Sequence, residues 1–386
     1  MEDEELYDLV DDQLASLEER LWNIGVTLHA DPEPELAVRL LTKELELGGF
    51  KVERDGLAFT AVVGTDQKPC VALLVEYDAV PGLGHALGHN LVAVAGLGAA
   101  LAVVGALGEV PGTLRVIGTP AEGKESAVRA GWFDGLDAVL MFQPGVHTWT
   151  WAPLSAQVEL EVAFHGRAAH VTGDPAAGVD ALAALIQMFT AVAALHRRLA
   201  RGASVQGIIT HGGDATDVVP DLARARFGVR APTARALDRL VEDVTACADG
   251  AAGASGATVE VARLGAGHRH FRANEVLAAR FARHLAELGV HAGEPDPVAV
   301  SESSDVGNVS TVVPTICPLV AIADPCQGLR TPAFTAAAAG ARARSATMAA
   351  AGGLARTVVD LLRHASLVTE TWACFKDREA AERAGD

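Results

Sequence analysis

The run CVALLVE at 70–76 is apolar at every position but its last, and it constrains the chain more than any other stretch. A strand that avoids water on both faces must be covered on both, which calls for a layered sheet with helices above and below. The neighbouring sequence agrees. A Pro/Gly-rich turn, AVPGLGHALG, opens a long helical stretch from about His89 to Leu107, followed by the strand TLRVIGTP, the helix ESAVRAGWF and the strand DAVLMFQPG. Upstream, residues 3–50 read as two helices. The second, Pro34 to Leu47, has proline in its first turn and Leu36, Leu40, Leu41 and Leu45 at helical spacing. A strand-like run covers 50–64. Strands alternating with helices predict an α/β domain with a largely parallel sheet.

The rhythm changes near Ser155. SAQVELEVAFHG alternates apolar and polar residues, as a half-exposed strand does. A helix at about 178–198, strands at 204–211 and 222–230, a helix at 233–249 and a strand at 257–263 complete the order β-α-β-β-α-β, a split βαβ sandwich. From about 274 the first pattern resumes and ends in an Ala-rich helix before TVVDLLRHA, with the tail KDREAAERAGD expected to fray. The reading is one α/β domain over 1–154 and 267–386, interrupted by an α+β (ferredoxin-like) insert over 155–266.

Charge and cysteine usage exclude several function classes. Among 386 residues, 31 Lys+Arg face 49 Asp+Glu, a net charge of −18. That balance argues against nucleic acid and anionic membranes, which reward clustered cations. The apolar run at 91–108 ends in Gly-Glu and reads as a buried helix rather than a membrane span. The acidic start MEDEELYDLVDDQ does not suit a secretory leader. Cys70, Cys247, Cys317, Cys326 and Cys374 form no CxxC pair, so a reduced, cytoplasmic location is expected.

Two readings compete for the glycine-rich turn. Gly82, Gly84 and Gly88 give GxGxxxG, not the dinucleotide fingerprint GxGxxG, and Glu76 and Asp78 would place carboxylates beside a pyrophosphate. The better reading uses strand ends, where open α/β sheets build their sites. Those ends carry Glu76 and Asp78, Glu122, and Gln143, with His85 and His89 on the turn into the helix.

In order along the chain, EYDAVPGLGHALGHN, GTPAEG, AFHGRAAHVTGDPAAGVDAL, GIITHGGDATDVVPD, SSDVGNVSTVVPTICP and RTPAFTAAA resemble the motifs of the M20 metallopeptidase/amidohydrolase family. The nearest branch is that of the aminobenzoyl-glutamate hydrolases and aminoacylase-1-like proteins, and the resemblance spans about 30–365. It implies a catalytic α/β domain with two metal ions and an inserted lid domain that mediates homodimerisation. It also implies that Glu122 handles the proton of the attacking water and that Asp78 orients a ligand imidazole. His170 matches the lid histidine that reaches substrate, Asp217 stands where relatives often carry Asn, and Asp305 matches a motif lining the cleft.

The metal positions depart from the family. Its five ligand positions correspond here to Leu87, His89, Gly123, Gln143 and Arg330, and only His89 is a good ligand. Leucine and glycine offer no donor, glutamine is a poor zinc ligand, and arginine is permanently cationic with nothing to donate to a metal. The expectation is therefore a cleft with no metal, in which Arg330, aided by Lys124, replaces part of the lost positive charge. Glu122, Asp78 and His170 form the expected catalytic set. Arg330, Gln143, His89, Asp217 and Asp305 form the expected substrate-binding set.

Three functions stay open. The first is an enzyme acting on a small amide, carboxylate or acyl-amino-acid by diverged hydrolysis, cyclisation, elimination or acyl transfer. The second is a zinc- or other divalent-metal-dependent amidohydrolase with ligands drawn from His85, His89, Glu125 and His147. The third is a non-catalytic binding descendant. Bland explanations stand beside several residues: Gly123 suits a turn, Gln143 could end a strand, and His147, Trp149 and Trp151 alternate as on one strand face.

Overall fold

A computed structural model describes residues 2–120, 123–296 and 302–384. In chain order the helices and strands begin with α1 (Asp3–Ala30), α2 (Pro34–Leu47), β1 (Lys51–Asp55), β2 (Ala58–Gly64), β3 (Cys70–Glu76), α3 (His89–Leu107), β4 (Thr113–Thr119), α4 (Gly123–Arg129), β5 (Ala138–Leu140) and β6 (Gln143–Gly145). Next come β7 (Ala156–His165), α5 (Ala181–Leu195), β8 (Ser204–His211), β9 (Leu222–Ala231), α6 (Ala234–Ser255) and β10 (Thr258–His268). The chain ends with α7 (Glu275–Glu287), α8 (Val306–Ser310), β11 (Thr315–Ile316), β12 (Leu319–Ala321), α9 (Pro332–Ala337), α10 (Ala341–Arg363) and α11 (Ala365–Ala384). They form two compact units, one of 1–152, 272–297 and 308–386, the other of 153–271 and 298–307.

The first unit is built on a six-stranded sheet in the order β1-β2-β4-β3-β5-β11. β4, β3, β5 and β11 run parallel, while β1 and β2 form an antiparallel edge. Every residue of β3 is buried, as its apolar run requires. α3 lies across it, so close that a Cβ on Gly96 would come within 2.2 Å of Val75 Cγ1. α3 is long and apolar enough to cross a membrane, but 78% of its most apolar stretch is buried in the protein, as in a core helix. α1 and α10 pack on α3.

The second unit is a four-stranded antiparallel sheet in the order β10-β7-β9-β8, the order of a split βαβ sandwich. Alternate residues of β7 and β9, among them Val158, Leu160, Phe227 and Val229, form one core with Leu185 and Met188 of α5 and Leu240 and Val244 of α6. α5 and α6 both begin with side-chain caps, Asp180 accepting from Ala183 N–H and Thr233 from Ala236 N–H.

Three local expectations need correction. The strand expected over DAVLMFQPG is two short strands in different sheets, β5 pairing β3 and β11, and β6 pairing β12 alone. The 50–64 run is a hairpin that turns at Gly56, where φ is +58°. The tail does not fray through 376–384. α11 continues to Ala384, because Arg272 binds Glu382 in a forked pair and Arg378 binds Glu275, while Leu367 and Phe375 are buried.

Candidate active site

β3 ends in Glu76, and the turn that follows places Asp78 and His89 beside it. Gly88 occupies the left-handed region at φ +74° and its missing Cβ leaves room for Pro144, which would otherwise lie 2.9 Å away. That tight seat lets His89 begin α3 at the carboxyl end of the sheet. His89 Nδ1 donates to Asp78 Oδ1 at 3.1 Å, and its Nε2 lies 3.8 Å from Glu76 Oε2.

The fourth member comes from α4. Lys124 has no solvent-exposed surface, and its ammonium donates to Glu76 Oε1. Lys124 and Ala127 share the buried face of this short helix. Glu76 therefore lies between a buried ammonium and a buried imidazole. Burial works against the Asp78 carboxylate, but the bond from His89 and the charges of His89 and Lys124 outweigh it and hold Asp78 below its ordinary range. Burial pushes His89 down, yet Glu76 and Asp78 together raise it. The Cys317 thiol is driven up, first by complete burial and then by the charge of Glu76.

The turn is locked from the other side. Arg330, at φ +59°, donates its backbone N–H to Ala86 O, and Thr335 Oγ1 donates to Leu83 O. Thr331 caps α9 through Phe334 N–H. Arg330 is an exposed residue, whereas the cation inside the cluster is Lys124.

The remaining expected site residues are divided between the two units. Gln143 is half-buried at the start of β6, its N–H donating to Pro318 O. In the second unit, His170 and Asp217 are exposed and adjacent: Val171 N–H donates to Asp217 O, and His170 bridges to Val218. His170 Nδ1 lies 3.0 Å from Thr172 Oγ1. Asp305 is buried in that same unit. Glu122, expected to carry the proton chemistry, lies outside the described residues.

The alternative ligand set does not assemble among the described residues. His85 is not on the helix of His89, because α3 starts only at His89. Both His85 ring nitrogens are engaged, Nε2 with Leu28 O and Nδ1 by Asn90 N–H, and burial pushes its imidazole down to about 4. Glu125 pairs with Arg129 on α4. His147 is exposed and stacks on Trp149 with ring centroids 4.5 Å apart.

Glu76, Asp78 and His89 do have ligand atoms within 4.8 Å of one another, the spacing a single divalent ion needs. They do not fit a pair of ions. The cluster supplies one imidazole and two carboxylates, and one of those carboxylates already holds an ammonium. The sequence offers Glu76 only as a strand-end carboxylate and Lys124 only as an aid to Arg330, so neither stands in the expected catalytic or substrate-binding set. The available signals were a carboxylate ending an otherwise apolar strand and a lysine three residues before Ala127 on a buried helix face.

Comparison with known proteins agrees with this architecture. A family model described as a peptidase dimerisation domain (M20_dimer) matches residues 155–255. The Xaa-Arg dipeptidase of Mus musculus is 34% identical over 316 residues, covering 79% of this chain and 73% of that protein. A p-aminobenzoyl-glutamate hydrolase component of Escherichia coli is 32% identical over 290 residues, covering 67% of this chain and 60% of that protein. Among solved structures, a dinuclear metal-binding peptidase from the M20 family of Bacillus subtilis superposes with a TM-score of 0.67 at 20% identity, covering 90% of this chain and 99% of that one.

Proposed function

The chain belongs to the M20 peptidase family of hydrolases, and from that premise we propose an enzyme that acts on a small amide, carboxylate or acyl-amino-acid without a resident metal pair. The observation that carries the proposal is the Lys124 ammonium on Glu76, buried completely inside the carboxylate–imidazole cluster. A fixed ammonium there balances charge that divalent ions balance when ligands for them exist.

The chain's own groups supply the chemistry. Asp78 fixes the tautomer and orientation of His89, so Nε2 is free to take or hold a proton. Lys124 donates its ammonium to Glu76, and Glu76 in turn favours protonated His89. Glu122 remains the proposed acid/base that passes the proton on. With ligand positions occupied by Leu87, Gly123, Gln143 and Arg330, activation of water by a Lewis acid has little support, and proton transfer, cyclisation, elimination, acyl transfer or cleavage of an activated bond fits better. Arg330, Gln143, His170, Asp217 and Asp305 are the proposed substrate-binding residues.

The test is elemental analysis of protein purified without chelators, joined to turnover of N-acyl amino acids, Xaa-Arg dipeptides and p-aminobenzoyl-glutamate. We expect no stoichiometric transition metal, turnover insensitive to strong chelators, and loss of turnover in Glu122→Gln. Stoichiometric zinc with chelator-sensitive turnover would instead establish the second reading, a metal enzyme, which the 4.8 Å grouping of Glu76, Asp78 and His89 favours. Binding without turnover would make the chain a binding descendant.

Homodimerisation belongs to the same proposal. The matched dimerisation domain ends its sheet on β8, an edge strand with Ile208 and Ile209 exposed, and α5 exposes Ile186. The domain boundaries at 154/155 and 266/267, and a cytoplasmic location consistent with five free cysteines, complete it.

A further inference from the structure

A second polar constellation in the first unit takes no part in the proposed chemistry. A cavity of about 480 Å³ opens among α1, α7 and α10, within the size range of small-molecule sites. Its floor is fully engaged. Asp360, buried, accepts from Tyr7 through Oδ1 and from His284 Nε2 through Oδ2, the latter at 2.7 Å. Arg356 binds Asp11 at 2.6 Å and Glu287 at 2.8 Å and lies over the Tyr7 ring.

The walls are different. Arg280 and Arg283 approach Asp360 Oδ2 only to 3.5 and 4.0 Å, and Arg283 approaches Glu287 to 3.7 Å; neither guanidinium makes a hydrogen bond among the described residues. On α1, the Glu4 and Asp8 carboxylates make no hydrogen bond or ion pair among the described residues. Glu4 and Asp8 of α1 thus line one cavity with Arg280 and Arg283 of α7, whose charges meet Asp360 and Glu287 only in long ion pairs. A simple anion would meet Glu4, Asp8 and Glu287, and a simple cation would meet two guanidinium groups. A molecule with both charges satisfies both walls.

We propose that this cavity binds a free α-amino acid as its zwitterion, with the carboxylate on Arg280 and Arg283 and the ammonium on Glu4 and Asp8. The site is independent of the Glu76–His89 cluster, so it acts as a second, non-catalytic ligand site. In an amidohydrolase-type protein it would sense the class of molecule that such reactions release.

The test is hydrogen exchange and calorimetry on the full-length protein with L-alanine, acetate and ethylammonium at matched ionic strength. Saturable binding is expected for L-alanine alone, with protection at 3–11 and 278–287. Arg280→Gln and Asp8→Asn should each weaken it roughly tenfold or more, and Asp78→Asn should leave it unchanged. Asp8 is exposed, so its variant keeps the test valid if Arg280→Gln folds poorly. Three outcomes would overturn the proposal: no saturable binding, an equal response to acetate, or protection that maps to 76–89 and disappears in Asp78→Asn.

Discussion

Lys124 donates its ammonium to Glu76 at a place where the lysine has no exposed surface and the glutamate has 4%. A buried pair of this kind repays its desolvation only while both partners are present. Lys124→Met should therefore destabilise the protein by about 3–5 kcal/mol, and adding Glu76→Gln should recover most of that loss. Denaturant titrations of the single and double variants measure it. Equal stability of wild type and Lys124→Met would show that the pair does not hold this region together.

Asp78 holds His89 by one hydrogen bond at 3.1 Å. Asp78→Asn keeps the shape but removes the charge that fixes the imidazole's tautomer, and turnover on any accepted substrate should fall roughly hundredfold. Steady-state kinetics should place the loss mainly in kcat. An unchanged kcat would remove the dyad from the chemistry.

His85 predicts acid sensitivity. Its imidazole titrates near 6.5 when unfolded but near 4 in the folded protein, because burial disfavours the charged ring. Between those values the unfolded chain binds more protons, so stability is lost as pH falls from 6.5 to 4, by roughly 3 kcal/mol in total. Thermal melts across that range should show the slope, and His85→Gln should flatten it.

Gly88 tests how the turn seats His89. Gly88→Ala forces a side chain into φ +74° and against Pro144. It should cost about 2 kcal/mol or more and lower turnover as well. An active variant with an unchanged melting temperature would show that the turn tolerates other geometries.

The C-terminal helix is held by charge as well as packing. Arg272 is 7% exposed, lies 5.0 Å from the Phe375 ring centroid, and forks onto Glu382. Glu382→Gln should destabilise by roughly 1–3 kcal/mol, and exchange should rise first in 365–384.

Local patterns carried much of the fold. The apolar run of β3 implied a strand covered on both faces, and the alternation in SAQVELEVAFHG implied the half-exposed β7. Proline at the start of α2 and the apolar length of α3 were equally legible. DAVLMFQPG was not, because the choice between one strand and two depends on which partners β5 and β6 find, and those partners include β3 and the remote strands of 315–321. The tail failed for a similar reason. KDREAAERAGD is polar enough to fray alone, and its helix is held by Arg272 and Glu275, about a hundred residues earlier.

By itself the sequence determined the layered α/β class and the inserted β-α-β-β-α-β unit. Those properties follow from periodicity and side-chain chemistry, both local. Tertiary structure alone decided which cation enters the carboxylate cluster, selecting Lys124 on α4 while leaving Arg330 exposed. It also separated His85 from His89, engaging the first with Leu28 and the second with Asp78. Such pairings depend on distances between groups from remote elements in a low-dielectric interior, and a linear order of residues does not contain those distances.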